Sequence, residues 1–167
     1  MGAVVASDGG MLSHAEREYL TFAAAGQEYG IDILAVREIR GWTVENPLPN
    51  CPPAVRGVIN LRGQVVPIYD LRIRLGAERS SPTATHVVIV VEAAAGFYGL
   101  LVDAVSDILS ATAGELQPVP QTGMEDENAF LTALLARESR MVSFLDLDIL
   151  VGSRVPDHIR EMEKIAA

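Results

Sequence analysis

The sequence has little of what disulfide-bonded, zinc-binding and nucleic-acid-binding proteins require. Cys51 is the only cysteine in 167 residues, which excludes an internal disulfide and a multi-cysteine zinc site and fits a reducing cytoplasm. A buried, inert thiol is the default interpretation of such a residue. The 13 Lys and Arg are outnumbered by 22 Asp and Glu, which gives a net charge of −9. Because phosphate binding needs a basic face, we expect no nucleic-acid partner.

Long apolar runs are missing as well. The longest, near residues 87–95, is interrupted by Glu92 and is shorter than the about 20 residues that a membrane helix needs. The N-terminus lacks the pattern of a secretory signal, a basic region followed by an apolar stretch. We therefore expect no membrane insertion and a cytoplasmic location.

Motifs of catalysis and cofactor binding are also absent from the sequence. There is no Gly-rich phosphate loop, no nucleophile-elbow serine, and no pair of His or Cys at metal-ligand spacing. Asp146 and Asp148 alternate in a Leu-Asp-Leu-Asp run, but without a third ligand they indicate the solvent-facing side of a strand or a helix start. We expect no catalytic residue, no metal and no cofactor; a metal enzyme using these two carboxylates is the alternative.

What the sequence does contain is apolar material in short segments. Hydrophobic residues make up 49% of the chain, which is enough for a sizeable core. The alternation over residues 19–33 and the β-branched run over 86–91 predict strands. Residues 98–109 fit both a strand and a helical stripe. Many short strands between turn signals favour a barrel or a sandwich, and a Val- and Leu-rich interior argues against a ligand cavity inside a barrel.

Proline and serine divide the chain into these segments. Pro47, Pro49, Pro52 and Pro53 forbid regular structure between residues 47 and 53. Pro53 is predicted to open a short helical turn that ends at Gly57. Residues 80–82, Ser-Ser-Pro, form the clearest internal linker.

One segment of the sequence has a distinctive order of residue types. Residues 57–72 read Gly-Val-Ile-Asn-Leu-Arg-Gly-Gln-Val-Val-Pro-Ile-Tyr-Asp-Leu-Arg. Gly63 can supply the positive φ of a tight turn that presents Arg62. Pro67 suits a sheet edge or a bulge, and the Asp70 carboxylate suits the cap of a following helical turn.

This segment closely resembles the signature of the CheW family, in which an Asn-Leu-Arg-Gly turn is followed by Pro-Ile-x-Asp-Leu. The resemblance continues in order through further stretches, residues 19–22, 28–33, 36–41, 87–91, 102–107 and 140–150. It implies an all-β fold of two five-stranded SH3-like β-barrels packed around a shared core, with short helical turns and a C-terminal helix. It also implies that residues 98–109 form a bulged strand.

The corresponding organisation has three parts. Residues 1–15 are a flexible N-terminal tail, residues 16–154 are the CheW-like domain with its two lobes, and residues 155–167 are a C-terminal helix. The helix is also indicated by the helical spacing of Ile159 and Met162.

The function that the resemblance implies is that of a non-enzymatic adaptor in bacterial chemotaxis. Such a protein couples the cytoplasmic hairpin tip of chemoreceptors, the methyl-accepting chemotaxis proteins, to the regulatory domain of the histidine kinase CheA, which itself resembles CheW. It works in the cytoplasm, at the membrane-associated receptor array. An adaptor of another receptor–kinase array, for example one that controls pilus motility, remains the alternative because the partner contacts are shared.

The receptor groove of the family involves positions that match Val36, Glu38, Gly57, Arg62 and Val88. In helix-in-groove docking, apolar side chains anchor the helix and a few charges set its register. For Val36 and Val88 the alternative is ordinary core packing. For Glu38 the alternative is an internal pair that orients Arg62.

The kinase contact is predicted at Trp42 and Val44, because an aromatic residue in a Pro-rich loop often anchors an interface. The alternative for Trp42 is that it fills the gap between the lobes. A second kinase contact, which closes a ring in the family, corresponds to residues 117–122. This chain has Gln117 and Thr122 where a basic and an aromatic residue can occur.

Overall fold

The computed structural model describes residues 15–123 and 128–151, which contain ten strands, two short α-helices and two 3-10 helices, Ile33–Ala35 and Ala113–Glu115. The strands are β1 (Glu16–Ala24), β2 (Gln27–Asp32), β3 (Val36–Gly41), β4 (Val55–Leu61), β5 (Gln64–Asp70), β6 (Val87–Ala93), β7 (Gly96–Val102), β8 (Ala104–Thr112), β9 (Leu131–Arg137) and β10 (Arg140–Leu145). The α-helices are α1 (Leu71–Arg74) and α2 (Leu147–Val151). The predicted C-terminal helix lies outside the described residues, as does the predicted tail except for residue 15.

The ten strands form two five-stranded sheets. Sheet 1 has the order β8-β1-β2-β10-β9 and sheet 2 has the order β3-β6-β7-β5-β4. In each sheet one parallel pair, β2 with β10 or β5 with β7, lies among antiparallel pairs. The predicted fold class, all-β with two five-stranded units, is confirmed.

Each sheet curls so that its outer strands approach each other. In sheet 2 the residue Asn46, which follows β3, exchanges two backbone hydrogen bonds of 2.8 and 2.9 Å with Val58 of β4. In sheet 1 the residue Gln117, which follows β8, exchanges two bonds of 2.8 Å with Leu134 of β9. Joining the edges removes the unpaired backbone groups that an open sheet exposes.

Apolar side chains fill the space between and within the sheets. The largest cluster draws on both sheets, with Leu20 and Ile31 from sheet 1 and Ile89 and Leu100 from sheet 2. A second cluster lies entirely within sheet 2 and a third entirely within sheet 1. The predicted shared core is therefore present, and each sheet also has a filled interior of its own.

The two sheets are copies of one arrangement. In the hairpin β4–β5, Leu61 pairs with Gln64; in β9–β10, Arg137 pairs with Arg140, an offset of 76 residues. The same offset relates the bulge near Gly57 in β4 to the bulge in β9. The parallel pairs agree as well, because β5 meets Gly99 in the way that β10 meets Gly30. Strands β8, β9, β10, β1 and β2 thus correspond to β3 through β7, in circularly permuted order.

Residues 98–109 form two strands where the resemblance implied one bulged strand, and no helix. They contribute to β7 and β8, and at Asp103 the chain passes from sheet 2 to sheet 1. The predicted bulge is present, since Leu20 pairs with Ile108 while Phe22 pairs with Val105, which leaves one extra residue in β8. Because the chain moves from one sheet to the other within this stretch, its period-2 alternation is interrupted, which explains the ambiguous periodicity of the sequence.

One local prediction is wrong. Gly57 does not end a helical turn, because it lies inside β4, and Pro53 belongs only to a single turn closed by the bond from Val55 N to Pro52 O. Residues 80–82 lie in the connection between α1 and β6, as predicted, and Ser80 within it is buried.

Pro67 lies in an inner strand and not at an edge. It pairs with Val58, whose backbone groups are already bonded to Asn46, so no ladder bond is missing on that side. On the other side the pairing of β5 with β7 begins only at Ile68. Proline is tolerated there because neither neighbour needs its missing N–H.

Candidate functional site

The tip of hairpin β4–β5 presents an arginine in an unfavourable backbone conformation. Arg62 and Gly63 have φ of +53° and +87°, as in a type I′ turn, and the Asn60 side chain accepts a 2.7 Å bond from Gly63 N. Such turns prefer Asn-Gly or Asp-Gly, and a side chain in this region costs about 1–2 kcal/mol. Arg62 is nonetheless 74% exposed. The turn itself therefore gives no reason for an arginine at this position.

Glu38 of β3 holds the Arg62 side chain. Nη2 of Arg62 donates a 2.8 Å hydrogen bond to Oε1 of Glu38, and Arg40 lies 3.7 Å from the other carboxylate oxygen. The bond from Arg62 lowers the pKa of the Glu38 carboxyl. The pair connects β3 to the hairpin at the opposite edge of sheet 2. The internal pairing of Glu38 that the sequence left open is present.

The two predicted apolar contacts differ in accessibility. Val88 is 2% exposed within the sheet 2 cluster, so the alternative of core packing holds for this side chain. Val36 is half-buried against the shared core. The exposed apolar residue of β3 is Ile39, at 46%. Sequence reasoning missed Ile39, although the alternation along β3 would have indicated it once the buried phase of the strand was known.

Gly57 serves a close approach of two backbone segments. It is buried, with φ of +147°, and a Cβ built on it would overlap the backbone carbonyl of Asn46 and press on Pro47. The glycine thus allows residues 42–47, which we call the 42–47 segment, to lie directly on β4. Its own surface is covered by that segment.

The 42–47 segment carries both residues predicted to contact the kinase. Val44 is 76% exposed. Trp42 is half-buried against the sheet 2 cluster, so the alternative that it fills the gap between the lobes is wrong. Its Nε1 donates a 2.8 Å hydrogen bond to Oε2 of Glu45, and Nε of Arg56 donates to the same oxygen at 2.8 Å.

Arg56 connects the 42–47 segment to the end of β5. Its Nη1 lies 3.0 Å from Oδ2 of Asp70, which is fully buried. Asp70 also accepts hydrogen bonds from the backbone N and the hydroxyl of Ser80, at 2.8 and 2.7 Å. The prediction that Asp70 caps helix α1 through its carboxylate is therefore wrong, because both oxygens bind other groups. Sequence reasoning missed Glu45 and Arg56.

The second predicted kinase contact occupies the corresponding place in sheet 1. Gln117 and Thr122 are exposed, and the backbone bridge from Gln117 to Leu134 corresponds to the bridge from Asn46 to Val58. Glu115, just before this loop, is 2.8 Å from Arg137. A hydrogen bond from the Thr112 backbone, followed by the Arg137 contact, lowers the pKa of the Glu115 carboxyl.

Sheet 1 also has its own charged cluster, which the sequence did not predict. Arg140 contacts Glu28 at 2.6 Å and Asp107 at 2.7 Å, and Thr21 bonds to Asp107. Hydrogen bonds from Arg140 and Thr21 lower the pKa of the Asp107 carboxyl. Asp107 follows the bulge of β8 as Glu38 follows the bulge of β3.

The two carboxylates of the alternative metal enzyme are each engaged by the backbone. Asp146 Oδ1 accepts a 3.1 Å bond from Ile149 N, and Asp148 Oδ1 accepts a 2.7 Å bond from Ala94 N. Residues 15–123 and 128–151 contain no group of three His, Cys, Asp or Glu side chains that could hold a metal ion. Within the same ranges no helix is long and apolar enough to cross a membrane.

Comparisons with known proteins agree with the geometry. Residues 18–155 match the family model of the CheW-like domain. The chain is 46% identical over 142 residues to the chemotaxis protein CheW of Rhizobium meliloti, covering 85% of this chain and 92% of that protein. It is 40% identical over 137 residues to the chemotaxis protein CheW of Klebsiella aerogenes, covering 82% of each. The crystal structure of the scaffolding protein TtCheW from Thermoanaerobacter tengcongensis is similar, with a TM-score of 0.75 at 27% identity, over 83% of this chain and 97% of that one.

Proposed function

The chain belongs to the CheW family, and on that premise we propose that it is a non-enzymatic scaffold that couples chemoreceptor tips to the histidine kinase CheA. It would work in the cytoplasm, at the membrane-associated receptor array. The observation that carries the proposal is Arg62, an exposed arginine at a turn position that disfavours it. Ala25 and Glu138 have the same conformation at other hairpin turns, so the support comes from the conformation of Arg62 together with its exposure and its bond to Glu38.

The receptor side of the proposal rests on the surface formed by β3 and the tip of hairpin β4–β5. Glu38 holds the Arg62 guanidinium at 2.8 Å, which orients its remaining donors toward a carboxylate or carbonyl on a receptor helix. Ile39 adds exposed apolar area beside this pair. Val36 and Val88 would contribute indirectly, because their packing in the core fixes the strands that carry the exposed residues.

The kinase side rests on two equivalent segments. The 42–47 segment follows the edge strand β3, and the loop that contains Gln117 follows the edge strand β8. Each makes a backbone bridge to the hairpin at the other edge of its sheet, at the equivalent residues Val58 and Leu134. A kinase domain of the same two-lobed fold can therefore meet this protein in a related way at each lobe. A ring contact at the second segment would have to be made with Gln117 and Thr122, where the family can have a basic and an aromatic residue.

Kinase assays with a charge reversal test the proposal. In membranes that contain the receptor of the same organism, adding the protein should raise CheA autophosphorylation and make it sensitive to attractant. Arg62→Glu puts an anion where the receptor helix would meet a cation, and mismatched charges across an interface cost several kcal/mol. We expect receptor binding to weaken about tenfold or more, with the rise in autophosphorylation lost.

The matched control is Arg17→Glu, which reverses a similarly exposed arginine and breaks its 3.2 Å ion pair with Asp32 on sheet 1. Since exposed pairs contribute little to stability, both variants should melt close to the parent protein. Equal coupling by the two variants would contradict the receptor contact at Arg62. No autophosphorylation response with the parent protein would direct the search to another receptor–kinase array.

A further inference from the structure

One buried side chain anchors the middle of the 42–47 segment to the body of the protein. Glu45 is 9% exposed, although its neighbours Val44 and Asn46 are exposed. The side chains of Glu45 and Arg56 are each 7% exposed where they meet at 2.8 Å. A buried carboxylate is retained only when it is paired and hydrogen-bonded, and Glu45 meets that condition through two donors, Arg56 and Trp42.

The same oxygen of Glu45 serves both donors, so the carboxylate fixes the position of the indole relative to β4. Trp42 Nε1 and Arg56 Nε each lie 2.8 Å from Oε2. The two ends of the segment are bonded through the backbone, from Trp42 N to His86 O and between Asn46 and Val58, and the Trp42 ring also packs against the sheet 2 cluster. Between those ends, Thr43 and Val44 are exposed, so their position follows from the anchored neighbours.

We infer that Glu45, held by Arg56, is the positioning residue of the kinase contact: it fixes the Trp42 ring and the direction in which Val44 leaves the surface. The inference rests on the proposed function, because it takes the 42–47 segment as a kinase-binding surface. Arg56 itself is held from the other side by Asp70. The position of the segment is therefore fixed relative to the end of β5 as well as relative to β4.

The decisive variant is Glu45→Ala, because it releases Trp42 and leaves the pair of Arg56 with Asp70 in place. The measurement is the affinity for the regulatory domain of CheA from the same organism. We expect the Kd to rise about tenfold, equivalent to about 1.4 kcal/mol. Glu45→Gln keeps an acceptor oxygen for both donors and should restore most of the affinity. Glu18→Ala, which removes an exposed glutamate of β1 in sheet 1, is the matched control and should bind as the parent does.

Three readouts separate positioning from a general loss of structure. Trp42 is the only tryptophan, so its fluorescence emission should shift to longer wavelength in Glu45→Ala as the ring becomes more exposed to water. In a double-mutant cycle, the loss of affinity in Trp42→Ala combined with Glu45→Ala should be smaller than the sum of the two single losses, because the carboxylate acts in part through the ring. Binding of Glu45→Ala to the receptor tip should be unchanged.

Val44→Asp distinguishes failure of this inference from failure of the proposed function. If Val44→Asp weakens kinase binding and Glu45→Ala does not, the positioning role is overturned and the contact stands. If Val44→Asp also binds as the parent does, the segment does not contact the kinase and both are overturned. Equal losses of kinase and receptor binding in Glu45→Ala would overturn the inference too, by showing a global defect.

Discussion

At the scale of single residues, the protein concentrates its buried charge around one guanidinium. Arg56 contacts Glu45 and Asp70, all three being nearly inaccessible to water. Removing one member of such a group commonly costs about 3–5 kcal/mol, because a buried charge is then left without its partner. The exposed pair of Glu38 and Arg62 is different, since pairs at the surface contribute little to stability. Its importance lies in orienting Arg62.

That orientation can be measured through the titration of Glu38. Because the hydrogen bond from Arg62 lowers its pKa, the carboxyl should titrate by NMR below the usual value of about 4.3. In Arg62→Gln the midpoint should move back up, while in Arg17→Gln it should not change. A pKa lowered by folding stabilises the protein above the unfolded-state value, and that contribution is lost as the pH falls through the folded-state value. An unchanged midpoint in Arg62→Gln would show that the pair does not persist in solution.

The sequence predicted some of these residues and not others for a physical reason. The turn at Gly63 and the exposure of Arg62 depend on local backbone geometry, which neighbouring residue types determine. The partner of Asp70 does not depend on local geometry. A carboxylate before a helical turn has the same local sequence pattern whether it caps the helix or binds a distant arginine. The burial of Val88 likewise depends on how far the sheet curls, which no local pattern specifies.

At the scale of elements, the important contact is between the 42–47 segment and β4. Gly57 permits it, since the carbonyl of Asn46 occupies the place of a side chain. The predicted helical turn before Gly57 was wrong because a proline and a glycine four residues apart fit both a short helix and the entry to a bulged strand. Strand positions of residues 86–91 were predictable, since a continuous β-branched run suits a buried strand.

A pair of glycine substitutions tests this contact. Gly57→Ala should lower the free energy of unfolding by about 1–3 kcal/mol, because the residue is strained at φ +147° and its methyl group displaces Asn46. Gly41→Ala, at the end of β3, meets no atom within 4 Å and should change stability by at most about 0.5 kcal/mol. Urea denaturation measures both. Equal stability of the two variants would contradict the close approach at Gly57.

At the scale of the whole molecule, the protein is one arrangement used twice. The duplication is visible in the sequence only in fragments, such as Asp70-Leu71-Arg72-Ile73 beside Asp146-Leu147-Asp148-Ile149. It escaped the sequence analysis because the copies share few residue types and the second copy is circularly permuted. The resemblance to the CheW family supplied the two lobes, but their equivalence required the strand registers.

The shared core predicts that the two lobes unfold together. Leu20 and Ile31 of sheet 1 pack in one cluster with Ile89 and Leu100 of sheet 2, so neither sheet can lose its structure without exposing the other. Calorimetry should show a single transition with a ratio of calorimetric to van't Hoff enthalpy of about 1. Trp42 fluorescence, which reports on sheet 2, should follow the same curve as circular dichroism. Two separated transitions would contradict this cooperativity.

The permuted order of the strands has a consequence for protein synthesis. Strands β1 and β2 leave the ribosome first, yet β8 begins only after the whole of sheet 2 has been made, about 70 residues later, and β10 begins more than 100 residues later. At about 5–20 residues per second, the first hairpin waits roughly 4–14 s with both of its edges unpaired. Sheet 2, whose five strands are consecutive, is complete when β8 begins and can close before β10 is made, so that it offers β1 and β2 an apolar surface. In the nascent chain, sheet 2 can therefore protect the hairpin β1–β2 until the strands that pair with it have been made.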